Sequence, residues 1–364
     1  FPYTTLFRST CIDKVDDEIV RLLNERMGYV KKIGELKNAA RSHIYRPERE
    51  KAIISRVESI SKLDKKSIEA VFFEIFSISR NLEKPQSVAF LGPFGTYSHQ
   101  AAKSRFGAIS NYIALSDIEA VFKALKNKEA KYGVVPIENN TEGGVGVTFD
   151  CLGTYKDIKV VAELYLDIHH SFASRYESLS EIKKIYSHPQ GYNQCLKFLE
   201  EHGLNEVEFI PTKSTALAAQ MVMSEPNSAA ICSKIAANLY NVPIMFEKIE
   251  DNLSNKTRFF ILSDFKNERT SKDKTSIMVK TDHSPGALVD FLSMFRNEGI
   301  NLTKLESRPI KKKDFNVNFY IDFEGHIDDE RVKKVLSLAK EKGNEIMWLG
   351  SYMNEEIKWY LMHI

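Results

Sequence analysis

The chain has 364 residues, 43% of them apolar, enough for two or three packed domains. Lys and Arg number 51 against 49 Asp and Glu, so there is neither a basic field for nucleic acid nor an acidic tail. No apolar run approaches the roughly 18 residues of a membrane span, and the start lacks the basic-then-apolar order of a secretion signal.

Phe1–Ser9 (FPYTTLFRS) reads as translated adaptor sequence rather than native protein and is set aside. The first block, 1–84, is all helical. Ile12, Val15, Ile19, Leu22, Leu23, Val30 and Ile33 recur at three and four residues along one long helix. Pro47 sits where a second helix can begin, and Ile68, Val71, Phe72, Ile75, Phe76 and Ile78 mark a third from Lys65 to Glu83. So thin a core predicts pairing with a second copy.

The second block, 85–267, alternates strands with helices. Predicted strands are 88–91, 132–135, 160–162, 182–186, 229–231 and 258–262; predicted helices are 117–126, 191–201, 215–224 and 234–240. That alternation predicts α/β layers in two lobes, with a cleft at the strand ends. The third block, 268–364, follows the short charged segment 266–274. Its order is strand, helix, strand, strand, helix, strand (276–280, 286–297, 300–306, 317–323, 329–341, 345–350), an α+β ferredoxin-like unit.

The motifs lie at element ends. Gly92-Pro-Phe-Gly95-Thr96-Tyr97-Ser98 precedes a predicted helix 100–106, where Thr96 or Ser98 can cap and free N–H groups suit a carboxylate. Its G-x-x-G spacing is not a dinucleotide fingerprint. Glu138-Asn139-Asn-Thr141-Glu-Gly-Gly, Ser187-His-Pro-Gln with Gln194, and Thr212-Lys-Ser-Thr215 make three more polar turns. Four such turns exceed what capping requires and suit a small oxygen-rich acid. Thr257-Arg258-Phe259 opens a final apolar strand. His169-His170 reads as two strand residues on opposite faces, with no third ligand at metal spacing. Four scattered cysteines (Cys11, Cys151, Cys195, Cys232) form no CxxC pair, fitting reduced thiols in a cytoplasmic protein. On the first helix Arg26 and Lys37 are about three turns apart and point the same way; from spacing alone they read first as solvated charges.

Thr257-Arg-Phe together with the 133–144 segment resembles the prephenate dehydratases. Leu22-Leu-Asn-Glu-Arg26, Ile33-Gly-Glu-Leu-Lys37, Tyr45-Arg-Pro-Glu-Arg49-Glu50 and Leu82-Glu83-Lys-Pro85 resemble the all-helical chorismate mutases. Gly286-Ala287-Leu288-Val with Glu306-Ser307-Arg308-Pro309 resembles the regulatory ACT domain. The three occur in the order of the bifunctional mutase–dehydratase family and cover nearly all of residues 12–352.

The resemblance implies a helical mutase domain, a two-lobed dehydratase domain like periplasmic binding proteins, and an ACT domain. In the mutase, Arg26 and Arg49 would grip chorismate, Lys37 would donate to its ether oxygen or a carboxylate, and Glu50 would hold the ring hydroxyl. Glu83 falls beside the ether oxygen and can donate only when protonated, so mutase activity is expected to fall as pH rises through neutrality. The family's further first-helix arginine would fall at Ser9, with Arg8 one residue off.

In the dehydratase the resemblance implies Thr257 as the key catalytic residue, with Glu138, Asn139, Ser187 and Gln194 around it and Arg258 as a carboxylate partner. Thr96, Ser98 and Thr141 would bind substrate. Phe94 stands where the family commonly has glutamate. Gly286, Ala287, Leu288, Glu306, Ser307 and Arg308 would bind the effector L-phenylalanine. Neither reaction implies a cofactor or metal, and a homodimer or dimer of dimers is expected. Three rivals remain at this level: a non-catalytic amino-acid sensor, a dehydratase with a crippled mutase, and a mutase fused to a dehydrogenase, which would need the missing dinucleotide fingerprint.

Overall fold

A computed structural model describes residues 2–39, 47–270, 272–281, 284–309 and 317–354. The chain divides into two compact units, one of 1–86 with 106–111, the other of 87–105 with 112–364.

The first unit is α1 (Pro2–Ala39), α2 (Pro47–Glu58) and α3 (Lys65–Glu83). Asp64 caps α3 by accepting from Ser67 N–H at 3.1 Å. Ile54, Ile68 and Phe76 form its small core. The predicted apolar stripe of α1 is not what packs on α3. Val30 is buried, but Ile12, Val15, Ile19, Leu22 and Ile33 are 47–60% exposed. Gly34 permits close approach of α1 and α3, because a Cβ there would stand 3.1 Å from Glu83 Cα.

The second unit contains, in chain order, β1 (Ser87–Leu91), α4 (Tyr97–Phe106), β2 (Asn111–Leu115), α5 (Ile118–Lys126), β3 (Tyr132–Asn139), β4 (Gly143–Gly144), α6 (Gly146–Thr154), β5 (Lys159–Asp167), β6 (Ser171–Ser174), β7 (Lys184–Ser187), α7 (Pro189–Asn193), α8 (Leu196–Glu201), β8 (Glu208–Pro211), α9 (Thr215–Val222), β9 (Ser228–Cys232), α10 (Lys234–Leu239), β10 (Ile244–Glu247) and β11 (Lys256–Ser263). It ends with β12 (Asp273–Lys280), α11 (Ala287–Asn297), β13 (Leu302–Pro309), β14 (Val317–Glu324), α12 (Glu330–Glu341) and β15 (Glu345–Met353).

Three sheets result, ordered β2-β1-β3-β11-β5 with β4 on β3, β10-β6-β9-β7-β8, and β13-β14-β12-β15. Strands β2, β6, β8 and β10, of four or five residues each, escape the sequence reading. The chain crosses from the first sheet to the second after β5 and returns at β11. The third sheet carries the element order read from the sequence, and its strand pairs are antiparallel.

The short charged segment expected as a domain boundary is pinned. Asn267 donates to Val161 O and Ser351 O at 2.8 and 2.9 Å, and Lys266 pairs with Asp328. Met278, Tyr320, Leu349 and Tyr352 of the third sheet share a core with Val160, Phe260 and Leu262 of the first. Gly350 makes that seam possible, since a Cβ there would lie 2.1 Å from Val160 O.

Candidate active sites

In the helical unit, polar pairs join α1 and α2 to α3. Arg26 donates to Ser79 Oγ at 2.6 Å, and burial holds its guanidinium below the ordinary value. Lys37 Nζ lies 2.7 Å from Glu83 Oε2. Glu50 pairs with Arg80, which is 3% exposed and which the sequence reading missed. Arg49 is exposed on α2. Tyr45, Arg46 and the side chains of Arg8 and Ser9 lie outside the described residues.

In the α/β unit, register sorts the predicted residues. β11 pairs with β3 so that Thr257 stands opposite Asn139 and Arg258 opposite Glu138. Side chains alternate along a strand, so the two pairs take opposite faces.

Thr257 and Asn139 face the space between the first two sheets. Asn139 Nδ2 donates to Thr257 Oγ1 at 2.8 Å and to Asn255 Oδ1 at 3.0 Å. Asn255 Nδ2 donates to Gln194 Oε1 at 3.2 Å. Gln194 Oε1 also lies 3.0 Å from His170 Nε2, and His170 Nδ1 lies 2.9 Å from Tyr97 Oη. Burial depresses the His170 pKa and raises that of Tyr97, so both are neutral near pH 7. A cleft of about 680 Å³ opens beside this chain, lined by Thr141, His188, Gln190, Gln194, Glu250 and Asn255. Thr257 has one donor and two acceptor sites. Since it accepts from Asn139, its own proton is available to a ligand.

The helix predicted over 191–201 is broken into α7 and α8. Asp251 causes the break: its N–H donates to Gln194 O at 2.7 Å and its carboxylate accepts from Lys197 N–H at 3.1 Å. Gln194 becomes the C-cap of α7 and is thereby aimed at Asn255.

Arg258 and Glu138 depart from their expected roles. Arg258 is 4% exposed and turned away from Thr257. It meets Glu163 at 2.6 Å, Asp322 at 2.7 Å and Tyr352 Oη at 3.1 Å. Lys274 holds the other Glu163 oxygen at 2.6 Å. Burial opposes the Arg258 charge, but Asp322 and Glu163 outweigh it and carry its pKa well above the ordinary value. Arg258 is therefore saturated by carboxylates of its own chain and does not reach the cleft. Glu138 lies beside it, paired with Lys304 at 2.7 Å.

Other expected ligands serve the fold. Ser187 is fully buried and donates to Ile231 O at 3.1 Å. Thr96 donates to Leu91 O and Pro93 O and accepts from His99 N–H. Helix α4 begins at Tyr97, three residues earlier than predicted, so Ser98 is a buried first-turn residue and not a cap. Thr141 does line the cleft. His169 and His170 do not alternate on a strand. They lie between β5 and β6, and both bind Glu250, through His169 Nδ1 at 2.6 Å and His170 N–H at 2.8 Å.

On β13 the same alternation divides the expected effector residues. Glu306 and Arg308 turn onto the 143–149 segment, where a Cβ on Gly146 would meet the Arg308 guanidinium at 2.2 Å and one on Gly144 would meet Glu306 at 3.3 Å. Ser307 points the other way and is exposed. Gly286 caps α11 with φ +84° in open space, and Ala287 and Leu288 are half-buried behind it.

The prephenate dehydratase family model matches residues 88–267, and the chorismate mutase type II model matches 9–84. The chain is 39% identical over 347 residues to the bifunctional chorismate mutase/prephenate dehydratase of Aquifex aeolicus, covering 94% of this chain and 95% of that one. The chain belongs to the bifunctional chorismate mutase/prephenate dehydratase family. A relative of the same description from Pseudomonas aeruginosa is 37% identical, again over 94% of this chain and 95% of its own. A solved prephenate dehydratase from Arthrobacter aurescens, in complex with L-Phe, is 30% identical with a TM-score of 0.68, covering 76% of this chain and 93% of that one.

The family's two activities are an isomerase step, chorismate to prephenate, and a lyase step, prephenate to phenylpyruvate, both in phenylalanine biosynthesis. Sequence reasoning missed Asn255, His170, Tyr97 and Glu250 in the dehydratase network. Asn255 lies just before β11, and its partners Asn139 and Gln194 are far away in sequence.

Proposed function

We propose that Arg26, Lys37, Arg49, Glu50 and Glu83 form the mutase site and that Thr257, Asn139, Gln194 and Thr141 form the dehydratase site. The mutase reaction is pericyclic and needs no nucleophile. It needs a flexible dianion held in its reactive shape and stabilisation of negative charge on the breaking ether. Arg26 and Lys37 supply fixed cations for this, and Glu83, 2.7 Å from Lys37 Nζ, would donate to the ether oxygen when protonated.

For the dehydratase, the C4 hydroxyl of prephenate leaves as the ring carboxylate departs as carbon dioxide, and aromatisation drives the step. Thr257, holding its proton free of Asn139, donates to the leaving oxygen. The observation that carries this reading is the 2.8 Å contact in which Thr257 accepts from Asn139.

The domain limits under this reading are 1–84, 85–267 and 268–364: helical mutase, two-lobed binding-protein-like dehydratase and ferredoxin-like ACT domain. The exposed apolar face of α1 supports a second copy as its cover, giving a homodimer or a dimer of dimers in the cytoplasm. L-phenylalanine, which the Arthrobacter protein binds, is the effector. Its site is built from Gly286, Ala287, Leu288 and Ser307. Binding tighter to one of two states, it would shift the population toward the less active one.

The test is chromatography of chorismate, prephenate and phenylpyruvate with the purified chain. Consumption of chorismate with appearance of phenylpyruvate is expected. Conversion of added prephenate alone would leave the dehydratase reading and remove the mutase one. Phenylalanine binding with neither substrate turned over would favour the sensor. Gly286→Leu should keep dehydratase turnover and abolish inhibition by phenylalanine; undiminished inhibition would refute this placement of the effector.

A further inference from the structure

The side chains beside Thr257 do not choose their hydrogen-bond sense independently. Thr141 N–H and Glu142 N–H both donate to Asn139 Oδ1, at 2.9 and 3.2 Å. A peptide N–H can only donate, so the Asn139 carboxamide cannot turn over. Its Nδ2 must face Thr257 and Asn255. Asn255, 2% exposed, has its oxygen committed to Asn139 and only its nitrogen to offer Gln194. Gln194 therefore turns its oxygen inward, 3.0 Å from His170 Nε2, which is a second donor in the tautomer whose Nδ1 faces Tyr97 Oη; that hydroxyl has one proton and also lies 2.8 Å from His169 O. Two peptide groups thus set the direction of a chain running from β3 to Gln194 at the end of α7.

We propose that Asn255 is a positioning residue that decides which end of the Gln194 carboxamide meets the substrate. It keeps Gln194 Oε1 away from the cleft and leaves the Nε2 hydrogens for an oxygen of the bound dicarboxylate. This rests on the dehydratase reading given above. The reversed arrangement would present a carbonyl oxygen to a carboxylate, and neither can donate.

Asn255→Asp isolates the effect, because it keeps the volume and the acceptor for Asn139 but removes the donor to Gln194. Gln194 then turns its nitrogen inward. His170 can follow by moving its proton to Nδ1, since Tyr97 Oη already lies 2.8 Å from His169 O and can donate there. The variant remains fully hydrogen-bonded and should fold.

The experiment is steady-state prephenate turnover by the full chain. Asn255→Asp is expected to raise KM about tenfold to a hundredfold, as for one lost hydrogen bond to a charged group, with kcat changing less. In a Gln194→Leu background the same substitution should change kcat/KM less than about twofold, because its effect passes through Gln194. An unchanged KM, or an equal loss in both backgrounds, overturns the proposal. Gln194→Glu reaches an acceptor-only face without touching Asn255; a parental KM there also overturns it, even if Asn255→Asp does not fold. Thr257→Val is assayed alongside. Full activity of Thr257→Val removes the dehydratase reading itself, whereas a dead Thr257→Val with a parental Asn255→Asp removes only the orientation proposal.

Discussion

In the helical unit nearly every proposed contact is a formal charge on a helix flank, Arg26, Lys37, Glu50 and Glu83. Around Thr257 in the α/β unit the hydrogen-bonding groups are neutral, Asn139, Asn255, Gln194, His170 and Tyr97. Arg258 and Lys274 sit behind the sheet, where Glu163 and Asp322 neutralise them, and on the cleft side Glu250 is tied to His169 and His170. Both substrates are dicarboxylates, so ligand charge does not explain the difference. The reactions do. A pericyclic rearrangement is helped by fixed charge near a developing oxyanion. An elimination needs a donor aimed at one leaving oxygen, and neutral groups held in a directed chain supply aim.

The sharpest way to break this comparison is Thr257→Val. Dehydratase kcat should fall about a thousandfold, the middle of the range for a lost general-acid-type donor, with mutase turnover intact. A parallel loss of mutase rate would show that the two sites are not separate. Next is Arg258→Met, which leaves Glu163 and Asp322 buried with one cation fewer. Urea unfolding followed by tryptophan fluorescence should show about 3–5 kcal/mol less stability, the usual effect of removing one partner of a buried pair. Trp348 is the described reporter, on β15 of the α/β unit. Parental stability would mean that the cluster behind the sheet is dispensable.

On the helical side, Glu83→Gln installs a donor that does not depend on pH. The variant's mutase rate should exceed the parent's by about a hundredfold at alkaline pH, the lower end of the range for one proton-transfer group. Equal rates in parent and variant would mean that Glu83 does not donate.

The smallest effect concerns acid. Burial, with a lesser contribution from Lys103, lowers His99 to about 4, and burial lowers His170. Both are depressed in the folded chain, so the unfolded chain binds protons first. Stability of the α/β unit is then full above the unfolded value of about 6.5 and declines as pH falls toward the folded values. His99→Gln should remove part of that decline, less than about 2 kcal/mol once solvent screening is allowed for. An identical acid slope in parent and variant would clear His99 of any role.

Much of this was legible in the chain itself, and what was not has a geometric cause. The bounds of α3 followed from its apolar spacing. The order of the last six elements followed from alternation between periods of 2 and 3.6. Thr257 and Asn139 were found by motif and stand opposite one another. Arg258 and Glu138 came with the same motifs but stand on the other face, because adjacency in sequence puts neighbours on opposite faces of a strand. Likewise Glu306 and Arg308 were grouped with Ser307, which β13 turns the other way. Asn255 bonds residues 116 and 61 positions away, and no local pattern announces such closure.

Gly350 has a bearing on building chimaeras. At that point β15 meets β5 backbone against backbone, with no room for a methyl group, so this one contact has no side chain that could be retuned to a new neighbour. A C-terminal module transplanted from another protein would fit this sheet there only if it brought a glycine to the same contact. The interchangeable part is thus not the last hundred residues by themselves but those residues together with the strand they lean on.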